Sequence, residues 1–168
     1  PVEAPLPKPI KSERELAAEA ARAEAVMLYS SGRYTEAAAR FGVAVVQARK
    51  HCEFDASSAA AELLVRLLWQ RSAACFMSQH FRGAAKDCKE VCALVRSGPK
   101  PGMMSIGVFQ WQSDAKRRLS WLLPRAALRH GRALLSVGDA SGATDALRRA
   151  VEAAKNVQAR MVHPGLAM

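Results

Sequence analysis

The chain has few of the residues that interrupt helices, since only 10 of its 168 residues are glycine and 8 are proline. Ala, Leu, Arg and Glu are common in their place, and this composition favours helix. Long apolar runs are also missing, and no stretch approaches the ~20 residues that a membrane-spanning helix needs. With 50% hydrophobic residues, the composition predicts a globular, helical domain that is not inserted in a membrane.

Cysteine is too sparse for a disulfide framework, with four residues in the whole chain. Cys88 and Cys92 lie four apart and could form a metal pair with His80 or His51. Zinc sites normally show two ligand pairs at tight spacing, and those are missing here. We therefore expect no metal or other cofactor, and we expect the thiols to be small buried hydrophobes. Free thiols suit a reducing compartment, which predicts a cytoplasmic protein.

Acidic residues are scarce in the second half of the chain. Residues 1–95 carry 13 Lys or Arg against 11 Asp or Glu, whereas residues 96–168 carry 12 against 4. This asymmetry predicts an acidic partner for the second half. The first 11 residues, PVEAPLPKPIK, form a proline-rich linker without an initiator Met or a signal segment. We therefore expect a fragment of a longer protein, whose other domains are further possible partners.

A pattern of residue sizes recurs three times, each time around a turn residue: Gly32, Gln79 and Gly138. A small residue stands seven positions before each turn residue, in the order Ala25, Ser72 and Gly131. Alanine stands five positions after it, as Ala37, Ala84 and Ala143. Small residues on both sides of a turn allow two helices to approach closely. The pattern therefore predicts three helical hairpins, which must stack because one hairpin cannot bury its own apolar face.

This order of small and large residues resembles the tetratricopeptide repeat, a helix–turn–helix unit of about 34 residues. The resemblance implies an all-α domain over 12–163, with three hairpins in a right-handed superhelix and a tail at 164–168. The hairpins are expected near 18–51, 58–98 and 124–161, with an insert near 99–123. Such uneven spacing resembles immunophilin-type co-chaperones and some dynein assembly factors. The alternative is a generic helical bundle with alanines at these positions.

Local signals predict where several helices begin and end. Ser12 followed by Glu15 is a capping-box pattern, which indicates a helix start. The second helix is expected over about 35–50, followed by a loop at 52–55. A further short helix is expected from about Ser113, within the insert.

One subfamily of these repeats binds the acidic Glu-Glu-Val-Asp tail of cytosolic heat-shock chaperones through a carboxylate clamp in its concave groove. The basic positions of that clamp pattern are occupied here by Arg22, Arg125 and Arg129. Gln70 stands where the pattern has one asparagine, within QRSAA where the family often has NRSAA. Val26 replaces the other asparagine. Around these positions we expect further contacts from Arg132, Tyr29, Trp69 and Phe76.

The chemistry of these residue types suits an acidic peptide terminus. Arg125 and Arg129 lie one helical turn apart, and guanidinium groups match carboxylates bidentately. Arg22 would approach from the opposite wall, while Gln70 would donate an amide N–H between them. Val26 removes one hydrogen bond to a charged group, worth ~1 kcal/mol or more. The expected ligand is the acidic tail of a heat-shock chaperone or of another protein.

Two other functions remain open for this sequence. The basic second half could bind nucleic acid through Lys116, Arg117, Arg118, Arg148 and Arg149, although no nucleic-acid-binding motif accompanies them. The hairpins could instead form a scaffold that holds an internal or partner helix. Catalysis is not expected, because the four histidines lack nucleophile or acid partners and no Gly-rich phosphate loop is present.

Overall fold

The computed structural model describes residues 12–55, 57–98 and 113–162, and these residues form helices without any strand. The fold of this part of the chain is therefore all-α, as the composition predicts. Its seven helices are α1 (Glu13–Ser30), α2 (Tyr34–Phe54), α3 (Ser58–Met77), α4 (Phe81–Ser97), α5 (Ser113–Leu119), α6 (Leu122–Ser136) and α7 (Ala140–Val162).

Three of the connections between helices share one backbone geometry. The turn residues Gly32, Gln79 and Gly138 have φ values of 78°, 62° and 84°, a conformation that favours glycine. A backbone N–H beyond each turn residue also donates to a carbonyl five residues earlier, as in a Schellman motif. These bonds are Arg33 to Leu28 at 3.0 Å, His80 to Cys75 at 2.8 Å and Asp139 to Leu134 at 3.0 Å. The helices α1/α2, α3/α4 and α6/α7 are thus joined by equivalent turns.

The small residues beside these turns lie where paired helices touch. Ala25, Ala37, Ala84 and Ala143 are all fully buried. A Cβ atom added to Gly131 would lie 2.7 Å from Cγ of Leu147. Helices α6 and α7 therefore approach each other closely enough that only glycine fits at this position.

The helix pairs pack in chain order, with α2 against α3 and α4 against α6, while α5 lies against α3 and α4. Two ion pairs reinforce these contacts. Arg71 donates to both carboxylate oxygens of the buried Asp87 at 2.7 and 2.6 Å, which ties α3 to α4. Arg49 donates to Glu90 at 2.6 and 2.8 Å, which ties α2 to α4. Removing one partner of the more buried pair would leave a costly unpaired charge.

The start of α1 follows the sequence prediction, whereas the end of α2 does not. The Ser12 side chain accepts from the backbone N–H of Glu15. The loop expected at 52–55 is wrong, because α2 continues through Phe54. Phe54 lies under the guanidinium of Arg14 at 3.9 Å, and the Ser12 hydroxyl is 3.2 Å from His51 Nδ1. Contacts with α1 therefore extend α2 by one turn.

The expected insert at 99–123 is only partly within the described residues. The predicted short helix is α5, and α6 begins at Leu122, two residues before the predicted third hairpin at 124. The linker at 1–11, residues 99–112 and the tail at 164–168 lie outside the described residues. In the part of the chain that is described, no helix has the length and hydropathy needed to cross a membrane.

Candidate peptide-binding surface

Helices α1, α3 and α6 carry five of the candidate side chains: Arg22, Gln70, Arg125, Arg129 and Arg132. We call this set the arginine face. The structure joins its first two members directly, because Nε of Arg22 donates to Oε1 of Gln70 at 2.9 Å. Since the Gln70 oxygen accepts from Arg22, its amide NH₂ is available as a donor. The contact links α1 to α3 on the exposed side of both helices.

Arg129 is held more firmly than the sequence indicates. Its guanidinium carbon lies 3.5 Å from the centroid of the Trp69 ring. Its Nη1 donates to the Trp69 carbonyl at 3.1 Å and to the buried Ser72 hydroxyl at 2.8 Å. Burial lowers the pKa of Arg129, while Cys88 and Tyr29 act in the opposite direction. Because arginine stays protonated in proteins, this residue is a fixed, partly desolvated cation that ties α6 to α3.

The other two arginines of α6 each lie over an aromatic ring. The guanidinium of Arg125 is 5.0 Å from the Trp121 ring centroid, and that of Arg132 is 5.4 Å from the Phe76 ring centroid. Both arginines are exposed. Cation–π contacts of this kind orient the guanidinium and leave its N–H groups free to donate sideways.

Tyr29 and Val26 supply an apolar flank on α1. Tyr29 is half-buried and meets Tyr34 edge-on, with ring centroids 5.1 Å apart. Val26 is 42% exposed, so at this position the surface offers a methyl contact where the clamp pattern has an amide.

The arginines of this face have no acidic partner in the described part of the chain. Seven other arginines do form ion pairs with Asp or Glu: Arg33, Arg40, Arg49, Arg66, Arg71, Arg118 and Arg148. Within the described residues, arginines without a carboxylate partner are therefore brought together on α1 and α6. Such a patch attracts anions and is complementary to carboxylates.

Two contributors were missed or left undecided by the sequence. Ser72 occupies a position that the repeat pattern reserves for a small residue, and its hydroxyl also orients Arg129. Its own proton goes to the Trp69 carbonyl at 2.7 Å. Trp121 is 44% exposed and lies beneath the guanidinium of Arg125. The serine hydroxyl at position 72 is the sequence signal that could have indicated the contact with Arg129.

Three of the four cysteine thiols are buried, and Cys92 is half-buried. Burial raises the pKa of Cys88 to about 12 and that of Cys52 to about 11. Thiols of this kind stay protonated at neutral pH and are poor nucleophiles. Within the described ranges, no three His, Cys, Asp or Glu side chains are grouped so that they could hold a metal ion.

In comparisons with protein families, curated proteins and solved structures, none matches this chain. The functional argument therefore depends on the contacts of the chain itself.

Proposed function

We propose that this chain is a non-catalytic protein-interaction module of the tetratricopeptide type, which binds an acidic C-terminal peptide on its arginine face. The observation that carries the proposal is the set of arginines without an acidic partner on α1 and α6, beside the exposed ring of Trp121 and the half-buried ring of Phe76. A carboxylate ligand would complete the hydrogen bonds that these guanidinium groups lack within the described residues.

The architecture supports the repeat assignment. Three equivalent turns, with small residues packed at the same distances from each, are what three stacked hairpins require. We propose that the pairs α1/α2, α3/α4 and α6/α7 form a right-handed superhelix whose inner surface is the arginine face. A heat-shock chaperone tail is the proposed partner, and the buried free thiols are consistent with the cytosol.

The side chains divide into ligand contacts and structural supports. Arg22, Arg125 and Arg132 are exposed and are proposed to contact the carboxylates. Arg129 is proposed to act mainly through its positive charge, because its Nη1 is already bonded to α3. Val26 is proposed to contact an apolar side chain of the peptide, as burial of two apolar groups costs no hydrogen bond.

Nucleic-acid binding is the second candidate, and the structure gives it less support. Of the five cations on which it rests, Arg118 pairs with Glu62 and Arg148 pairs with Asp145. An RNA-binding surface needs such cations for phosphates, and two of the five already have carboxylate partners.

Substitution of single cations tests the proposal. Arg125→Ala should weaken binding of a peptide ending in Glu-Glu-Val-Asp by about tenfold, the equivalent of ~1.4 kcal/mol. Lys116→Ala is the matched control, because Lys116 is an exposed cation on the neighbouring α5, and it should change affinity less than twofold. Fluorescence anisotropy gives both values. Equal losses from the two variants would indicate non-specific charge attraction and contradict the proposal.

Arg129→Ala is a poor probe of ligand contact, since it also leaves the buried Ser72 hydroxyl and the Trp69 carbonyl without their partner. Any loss of affinity in that variant would therefore mix ligand contact with the stability of the α3–α6 interface.

A further inference from the structure

The contact between consecutive helix pairs repeats along the chain. Three positions of each later pair, at 16, 12 and 5 residues before the turn residue, belong to the core clusters that include the preceding pair, and α3 packs on α2 as α6 packs on α4. In α3 they are Leu63, which is partly buried, and Leu67 and Ala74, which are fully buried. In α6 they are Leu122, Ala126 and Ala133, which are at most 1% exposed.

The first helix carries the same stripe on its exposed surface. The equivalent positions in α1 are Leu16, Ala20 and Met27. Leu16 is 53% exposed and Met27 is 72% exposed, and Ala20 is exposed as well. We call this stripe the front face. Its apolar residues stand at the positions whose equivalents are buried or partly buried in α3 and α6.

The last helix pair carries the opposite half of the same interface. The positions 13 and 16 residues after the turn residue are buried or half-buried in the first two pairs. They are Val45 and Ala48 in α2, and Cys92 and Val95 in α4. In α7 they are Val151, which is 57% exposed, and Ala154, which is exposed. We call this surface, together with Leu128 and Leu135 of α6, the rear face.

One contact shows how the two halves meet. The side chain ten residues before one turn residue touches the side chain nine residues before the next. Arg22 bonds to Gln70 in this way, and Trp69 stacks on Arg129. In the last and first pairs the same positions hold Leu128, on the rear face, and Ala23, which is exposed on the same helix as the front face. A leucine and an alanine are compatible partners for a third contact of this kind.

The charges of the two end pairs are complementary. Residues 12–55 carry six Lys or Arg against seven Asp or Glu, whereas residues 122–162 carry seven against three. A net charge of −1 therefore meets a net charge of +4 when the front of one chain approaches the rear of another. The attraction favours this encounter, whereas the positive charge of the last pair disfavours rear-to-rear contacts.

We infer that the front face binds the rear face of a second copy of this chain, so that copies stack head to tail as the internal helix pairs do. Both halves of the interface are present in one molecule, which makes a second copy the occupant that these surfaces fit. The contact is heterologous, so it leaves one front face and one rear face open and can extend into longer assemblies. The peptide-binding proposal does not depend on it.

Sedimentation velocity tests the inference across the micromolar range. The wild-type chain should show a weight-average mass that rises with concentration and falls with added salt. Leu16→Glu on the front face and Val151→Glu on the rear face should each remain monomeric. Val46→Glu is the control, because Val46 is 48% exposed on α2 and belongs to neither face, and it should assemble like wild type. Ala23→Glu and Ala154→Glu repeat the test if circular dichroism shows that a first variant is unfolded.

Mixing the two blocked variants gives the decisive result. Leu16→Glu keeps its rear face and Val151→Glu keeps its front face, so an equimolar mixture should form a dimer and grow no further. A wild-type chain that stays monomeric throughout would overturn the inference. So would a variant pair in which only one substitution blocks assembly, because that result indicates a symmetric dimer. Loss of assembly in Val46→Glu would overturn it as well.

Discussion

At the scale of single residues, the main finding is that one arginine serves the fold while its neighbours are available to a ligand. Arg129 is stacked on Trp69 and bonded through Nη1, whereas Arg22, Arg125 and Arg132 are exposed. The sequence places all four on one set of helices but cannot separate these roles. The difference depends on the Ser72 hydroxyl and the Trp69 carbonyl, which become neighbours of Arg129 only after α3 and α6 pack.

The thiols give a prediction at the same scale. Burial raises the pKa of both Cys92 and Cys88, against opposing contributions from Arg96 and Arg149 at Cys92 and from Ser72 and Arg129 at Cys88. Cys92 is half-buried and Cys88 fully buried. Alkylation of the folded protein near pH 8.5 should therefore modify Cys92 before Cys88, as peptide mass spectrometry can measure. Modification in guanidinium chloride is the control, where both should react alike. Equal rates in the folded protein would contradict this burial.

The raised pKa values of the buried thiols predict how the stability of the fold changes with pH. An unfolded thiol has a pKa of about 8.5, and the folded values of Cys52 and Cys88 are higher. The fold therefore favours the protonated thiol. The protonated thiols contribute fully to the free energy of unfolding below the pKa of the unfolded state. This contribution is lost as the pH rises from about 8.5 through the pKa values of the folded state. Stability should accordingly decline on the alkaline side.

At the scale of elements, turns and close helix contacts could be predicted from the sequence, whereas some helix lengths could not. Small residues at fixed distances from a turn allow the two helices to approach closely, and they are buried as the pattern requires. The end of α2 depends instead on Arg14 of α1 and on Ser12, the residue that caps α1, which lie about 40 positions away. Capping and turn signals in the local sequence do not predict such tertiary contacts.

The turn at Gln79 provides a test of the shared backbone geometry. Gln79 adopts a φ of 62°, which costs a residue with a Cβ about 1–2 kcal/mol. Gln79→Gly should remove that strain, offset in part by chain entropy, and raise the melting temperature by about 2–4 °C. Differential scanning calorimetry measures the shift.

Gly32→Ala is the matched control in the first turn. Gly32 has a φ of 78°, and no atom lies within 4 Å of an added Cβ, so only backbone strain changes. This variant should lower the melting temperature by a similar amount. A drop in melting temperature for Gln79→Gly would show that the two turns are not equivalent.

At the scale of the whole molecule, the helix pairs pack one after another. The two ends of this series expose apolar residues at the positions that are buried between the internal pairs. The uneven charge of the chain could be predicted from the sequence. The buried Asp87 and its bond to Arg71 could not, because a single acidic residue gives no sequence signal of burial. The role of Val26 also stays a prediction, since it depends on the ligand.

The most direct test of the central claim compares two forms of one peptide in a titration against the wild-type chain. One form ends in Glu-Glu-Val-Asp with a free carboxylate, and the other ends in the amide and carries one added acidic residue at its start. The net charges are then equal, so only a directed contact to the terminal carboxylate can separate them. The account predicts that the amide binds about tenfold more weakly, by ~1.4 kcal/mol. Equal affinities for the two peptides would contradict it.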